Sequence, residues 1–323
     1  MNKYKLLQTA HWAYNHFVSS HAPNKAESLV EDPNEAARLI TEALSSGKPC
    51  MIARLGSVEL DVTASYKCRT SMQHNAWKYI KGDIPTWWWT EQQIINLKRN
   101  AGVFNPTKEV IEHFAQMMIK DMRLVDILGS WQSSEQLFDE ELKNAAKVRL
   151  RYLEPFWSKK PWTACLKDKR VLVIHPFADT IRKQYGKRHL LFKQPDILPT
   201  FKSFEIIKAV QSIGDNSDGF ATWFDALHSM EDAMDKTDYD VALIGCGAYG
   251  FPLAAHAKET GKQAVHMGGA LQLLFGIKGK RWFNPVDKNL FDTYSHLAND
   301  HWTYPEAAEK PAKANEVEEG CYW

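Results

Sequence analysis

Asp240-Val-Ala-Leu-Ile-Gly-Cys-Gly-Ala-Tyr-Gly250, followed closely by Gln263-Ala-Val-His-Met-Gly-Gly269, is the stretch that decides the fold. Residues 240–244 form an apolar run too short for a buried helix, and glycine stops it at once. Residues 252–260 have helical composition, and 263–266 form a second short apolar run. A strand, a helix and a strand in so few residues can pair only as a parallel crossover. The same grammar extends outward. Residues 49–54 and 170–175 are strands that each lead into a helix, at 59–66 and near Thr180. Residues 124–128 and 148–153 are two more strands, with a helix expected at 134–146 between them. Residues 204–210 are extended, and helices are expected at 220–236 and 269–275. Strands alternating with helices predict an α/β, Rossmann-like fold with a mainly parallel sheet flanked by helices. No internal repeat competes with that reading.

The flanks divide the chain. Residues 1–20 have the period of an amphipathic helix, and a second helix opens at Asp32-Pro33 and runs to Leu44, so 1–47 reads as an N-terminal helical segment. Residues 48–285 hold the α/β domain. Residues 286–323, with prolines and many Ala, Glu and Lys, read as an extended acidic tail.

Composition excludes several functions. The 323 residues carry 40 basic and 39 acidic side chains, a formal charge of +1 that argues against general nucleic-acid binding. Mean hydropathy is −0.42, and no run reaches the ~18–20 apolar residues of a membrane span. Five scattered cysteines without a CxxC pair argue against zinc ribbons and a secreted disulfide framework, and for a reducing, cytoplasmic setting. Near-neutrality hides a dipole: residues 151–202 hold twelve bases against four acids, and 287–323 hold eight acids against three bases. A basic mid-chain stretch suits phosphates or an anionic membrane, or is a solvated face balanced by the tail.

Four places carry possible chemistry. Gly245, Gly247 and Gly250 match G-x-G-x-x-G between a strand and a helix, where glycines let backbone N–H groups approach a diphosphate; Tyr249 lies within the motif. A dinucleotide site also needs an acid at the end of the next strand. That strand ends His266-Met-Gly268-Gly269, which disfavours NAD and leaves a structural turn or a site for another phosphate or sugar group. His175 and Asp179 follow a neighbouring strand. Lys278, Lys280 and Arg281 beside Trp282 form either a diphosphate clamp or an exposed loop. Finally, Arg54 ends the first strand, with Gly56, Glu59 and Asp61 just beyond. A buried arginine needs a partner, and Glu59 is the nearest acid.

The string Arg54-Leu-Gly56-Ser-Val-Glu59 resembles the R-[FYI]-G-x-x-E segment of bacterial GT-D-fold glycosyltransferases. The second half, from Gly245 through Trp282 and the terminal Cys321-Tyr-Trp323, is similar to proteins of capsule and lipopolysaccharide gene clusters. The resemblance implies a GT-D-like catalytic domain over 48–285 and transfer of a sugar from a nucleotide-sugar donor to a glycan or lipid-linked acceptor. It implies Arg54 and Glu59 as catalytic residues, and His175 and Asp179 join them as catalytic candidates from their place at a neighbouring strand end. The three motif glycines, Tyr249, His266, Gly268, Gly269, Lys278, Lys280, Arg281 and Gly56 would bind the donor. In that family an Asp-x-Glu holds Mg or Mn; here Ser57 stands at the Asp position. Asp61 with Glu59 could hold the metal instead, the metal could be weak, or the cations could neutralise the diphosphate.

The expectation is therefore a cytoplasmic glycosyltransferase of cell-surface polysaccharide assembly, with peripheral contact to the inner face of the membrane. A pyruvyl, acyl or phosphoryl transferase of the same pathway, or a non-catalytic sugar-binding assembly protein, are the alternatives. The chain has twelve tryptophans. Trp77, Trp87, Trp88, Trp89, Trp131 and Trp282 are candidates for an acceptor platform, and the other six are expected in packing.

Overall fold

Seven strands make one parallel sheet: β1 (Cys50–Ala53), β2 (Ile127–Ser130), β3 (Ala146–Arg149), β4 (Arg170–His175), β5 (Ser203–Lys208), β6 (Val241–Ile244) and β7 (Gln263–His266). Their spatial order is β3-β2-β1-β7-β6-β4-β5, and every pairing is parallel. The computed structural model describes residues 3–17, 29–71, 74–214, 216–311, 314 and 320–323. The α/β Rossmann-like fold expected from the sequence is present.

The central strands are buried on both faces, which explains their unbroken apolar runs. Alternate residues of β1 serve two cores. Met51 and Ala53 face helices Ser57–Ser71, Lys108–Met122, Trp223–Asp235 and Gly250–Glu259, while Cys50 and Ile52 face helices Pro33–Ser45 and Ala178–Gly186. Desolvation pushes the Cys50 thiol up to about 12, so it acts as a small apolar residue. β3 and β5 are the two edge strands and are only partly buried.

Three expectations change on contact with the structure. Residues 134–146 are not an α-helix; Ser133–Phe138 is a short 3₁₀ turn. Glu135 is buried, and its carboxylate accepts hydrogen bonds from the Ser130 hydroxyl and from the N–H groups of Trp131 and Gln132, both at 3.1 Å. That ties the segment to the end of β2 and prevents a surface helix. β3 also ends at Arg149 rather than Leu153, because Leu150–Leu153 turns into a 3₁₀ helix. The third change concerns the tail: helix Lys288–Tyr294 forms where extended chain is expected, because Tyr294 and Trp302 are drawn into the core. The Trp302 indole N–H donates to the Leu191 carbonyl at 2.9 Å.

Glu309 fastens the tail to the body. Its buried carboxylate accepts from the N–H groups of Asp179 (2.8 Å) and Thr180 (3.3 Å), and from the Thr180 hydroxyl. It thereby caps helix Ala178–Gly186, whose own preceding residue, Phe177, offers no side-chain cap. Replacing Glu309 with Ala strands three donors in a dry place and is expected to cost about 1–3 kcal/mol. Urea unfolding of E309A checks this, and an unchanged midpoint would contradict it.

Candidate active site

The C-terminal ends of all seven strands open into one cavity of about 410 Å³. This is the edge where open α/β sheets bind ligands. Its floor comes from Arg54 and Gly56 after β1, Trp131 after β2, His175 after β4, Gly245 to Gly247 after β6, and Gly268 and Gly269 after β7. The tail supplies the opposite wall through Tyr294, Tyr322 and Trp323.

Arg54 leaves a buried strand of the sheet and turns its guanidinium into this cavity. Desolvation works to lower its pKa, the Glu59 carboxylate opposes that most strongly, and nearby Arg281 adds to the lowering. The Trp131 ring lies 5.4 Å from the guanidinium carbon, in cation–π range, and its indole N–H donates to the Leu55 carbonyl at 3.0 Å. Gly56 shows how closely Glu59 folds back over the strand end: a Cβ there would stand 2.0 Å from Glu59 Oε2. The glycine of the R-x-G-x-x-E string is therefore space reserved for a carboxylate.

Gly268 has φ +62, and a Cβ there would meet the Arg54 side chain at 3.4 Å. A Cβ on Gly245 would lie 2.6 Å from the Gly268 carbonyl and 2.9 Å from His175 Cδ2. Arg54, Gly268, Gly245 and His175 are thus successive neighbours across the floor. His175 is buried, and its Nδ1 accepts a hydrogen bond from the Phe177 N–H at 3.0 Å. That bond fixes the proton on Nε2, which has no protein partner among the described residues. Desolvation lowers the imidazole pKa to about 3, so His175 is a neutral donor through Nε2–H.

The other sequence candidates are distributed unevenly. Tyr249 lines the cavity, stacks on Trp223 with centroids 4.6 Å apart, and pairs its hydroxyl with Ser212 at 2.9 Å. Arg281 lines it and lies 5.0 Å above the Tyr322 ring, while Lys278 and Lys280 stand outside the wall. The Lys278 backbone is tied to Thr303, and Lys280 begins a four-residue helix facing solvent. Asp179 is exposed outside the cavity, because its helix end is already occupied by Glu309. His266 packs beneath Gly250, where a Cβ would be 2.2 Å from its ring, and donates from Nδ1 to the Ile244 carbonyl at 3.3 Å. Desolvation, then Arg54, lowers its pKa to about 3. Asp61 is exposed and off the cavity wall.

Of the tryptophans, Trp131 and Trp282 reach the cavity; Trp88 instead stacks on Tyr4, and Trp87 on His74. Trp89 donates to the Val62 carbonyl and carries Arg69 over its ring. Trp323, expected in packing alone, both packs on Phe177 and lines the cavity. Residues the sequence did not single out also line it: Arg151, Glu154, Tyr294 and Tyr322. Arg151 and Glu154 follow a strand end as the others do, a signal hidden by placing that end four residues late.

A divalent metal finds a poor donor set. Ser57 offers no charge, Glu59 already supports Arg54, and Asp61 lies outside. No group of three His, Cys, Asp or Glu suited to a metal occurs among the described residues.

Residues 31–274, about three-quarters of the chain, match the GT-D fold-like domain. The chain belongs to the GT-D-like family. Within that family's boundaries lie β1 to β7 and most of the cavity floor, whereas Arg281, Tyr294 and the Tyr322-Trp323 wall lie beyond them. The GT-D-like domain is a glycosyltransferase-type fold. Among curated proteins and solved structures, none matches the chain significantly.

Two glycine substitutions separate site from scaffold. In Gly250→Ala the new Cβ meets a buried imidazole that has no room to move, an overpacking cost of about 1–3 kcal/mol. In Gly56→Ala it meets the far end of a flexible side chain: Glu59 swings aside and Arg54, part-exposed to the cavity, turns to water, so stability falls by less than about 1 kcal/mol. Paired urea titrations read the difference, and equal losses would contradict this geometry.

Proposed function

We propose that the chain is a glycosyltransferase that takes a sugar from a nucleotide-sugar donor and passes it to a glycan or lipid-linked acceptor in cell-surface polysaccharide assembly. The observation that carries the reading is the convergence of Arg54, Arg281 and the neutral His175 Nε2–H on one aromatic-walled cavity. Two guanidiniums match the charge of a diphosphate, and a fixed N–H adds direction without adding charge. Trp131 and Tyr322 supply faces on which a base or sugar ring stacks. As the sugar departs, charge grows on the diphosphate, and preorganised donors at that point lower the barrier. Glu59 holds Arg54 in place in this scheme. No step needs a metal, since the cations take the place that Mg or Mn fills beside an Asp-x-Glu.

Calorimetric titration with UDP-, GDP-, CMP- and dTDP-sugars tests the reading. One of these is expected to bind with micromolar to millimolar affinity, undiminished by EDTA, and Arg54→Met is expected to weaken it at least tenfold. Absence of binding across the panel would sink the proposal, and loss of binding in EDTA would return the metal to it.

A second surface supports the acceptor side. No helix among the described residues is long and apolar enough to cross a membrane. Helix Lys3–Phe17 rests on the body through Tyr4 on Trp88 and His11 on Tyr79. It leaves Trp12 60% and Phe17 74% exposed, and Trp77, 59% exposed on helix Ala76–Lys81, meets the same helix through Tyr14. Lys5 and Lys78 are exposed on the same two helices. Exposed indoles with lysines fit the interface of an anionic bilayer, where a lipid-linked acceptor would be met. Co-sedimentation is expected with phosphatidylglycerol vesicles and not with phosphatidylcholine vesicles, and Trp12→Ala with Trp77→Ala is expected to abolish it. Equal sedimentation of the double variant would contradict the membrane contact.

A further inference from the structure

Glu154 is the cavity residue whose chemistry the donor site leaves unused. It stands just past the 3₁₀ turn Leu150–Leu153 at the β3 end of the cavity, buried among Leu153, Trp157 and Tyr294. Its carboxyl accepts from the Trp157 indole N–H at Oε2 (2.8 Å) and from the Tyr294 hydroxyl, which lies 2.9 Å from Oε2 and 3.0 Å from Oε1. Both protein donors therefore gather at Oε2, and Oε1 shares only one. No salt bridge to Glu154 is formed among the described residues. The charged and titratable groups that face it are Tyr294, from helix Lys288–Tyr294, and Arg151, whose guanidinium lies 5.2 Å from the Trp157 ring and 5.9 Å from the Tyr294 ring. His296 stands behind Trp157, 6.4 Å ring to ring.

A glutamine would satisfy the same two donors without an ionisable group in a dry place, so packing alone gives little reason for an acid. Desolvation pushes the Glu154 carboxyl up to about 7, against the pull of Trp157, Tyr294 and Arg151 in the other direction. The group therefore exchanges a proton near neutrality, as a general base must.

We propose that Glu154 is the catalytic base of this site, receiving the proton of the acceptor hydroxyl at Oε1. The proposal rests on the glycosyltransferase reading above and deepens it. In the step, the acceptor O–H bond breaks and its proton passes to Glu154 while the acceptor oxygen bonds to the anomeric carbon. The bond from that carbon to the diphosphate oxygen breaks, and its electron pair leaves with the nucleoside diphosphate, facing Arg54 and Arg281. Glu154 then returns its proton to solvent. Water can stand in for the acceptor, which makes the step measurable without knowing the acceptor.

The test is release of nucleoside diphosphate from UDP-glucose, UDP-N-acetylglucosamine and GDP-mannose, with donor affinity measured beside it. Wild-type release is expected to fall below about pH 7. Glu154→Gln is expected to lose about 10²–10⁴-fold in turnover with donor affinity unchanged within threefold. Tyr294→Phe removes a donor that favours the charged carboxylate, so its acidic limb is expected at higher pH. That shift decides the matter should the glutamine variant fail to fold. Retained turnover in Glu154→Gln, or an unmoved limb in Tyr294→Phe, overturns the role of Glu154 while leaving donor binding intact. A wild-type protein that binds none of the donors overturns the glycosyltransferase reading itself, and this proposal with it.

Discussion

A guanidinium at the end of a fully buried strand is the constraint around which the cavity is organised. Arg54 is desolvated at the tip of β1 where it lines the cavity, and Glu59 supplies its counter-charge by folding back over the strand end. That fold-back places the Glu59 carboxylate where a side chain at Gly56 would stand. Arg54 also lies over Gly268, whose left-handed backbone closes the neighbouring loop, and Gly268 in turn leaves no room for a side chain at Gly245. The glycines of three strand ends thus follow from placing one cation and keeping it charged. The arrangement resembles an anion site with its own counter-ion, and under the proposed function a diphosphate would meet it beside Arg281 and His175.

The tail completes what the sheet begins. Tyr322 packs against Gly269 so closely that a Cβ there would stand 2.3 Å from its ring, and the Arg281 N–H donates to the Cys321 carbonyl at 2.8 Å. Tyr294 reaches across to Glu154, 140 residues away in sequence. Glu309 holds the same segment to helix Ala178–Gly186 and fills the helix end that another α/β protein would offer to a phosphate. Under the proposed function, this occupancy leaves Arg54 rather than the helix after β4 to receive the diphosphate.

Much of the fold was legible because parallel strands buried on both faces must be short apolar runs, and β4, β6 and β7 read that way between glycine, proline and charge. The segment after β2 was misread since its helical period is overruled by one buried carboxylate, Glu135, that serves backbone donors. Of the site, Arg54, Gly56, Glu59, His175, Gly245 and Arg281 were legible as residues at strand ends or in a basic loop. His266 has the same signal, yet its ring is spent filling the space beneath Gly250. Glu154, Tyr294 and Tyr322 could not be read, because their meeting depends on a tail that returns across the sheet. The block Trp87 to Trp89 misled for a related reason: its indoles are taken up by the N-terminal helix, His74 and Arg69.

Under the proposed function, this strand-end cavity holds a nucleoside diphosphate between Arg54 and Arg281. A crystal structure of the protein soaked with UDP, GDP or dTDP tests it most directly. Diphosphate density is expected within hydrogen-bond distance of both guanidiniums, with His175 Nε2 turned toward it. Density at the helix 178–186 N-terminus with Glu309 displaced, or an Arg54 still facing only Glu59 and Trp131 with nucleotide bound elsewhere, would contradict it.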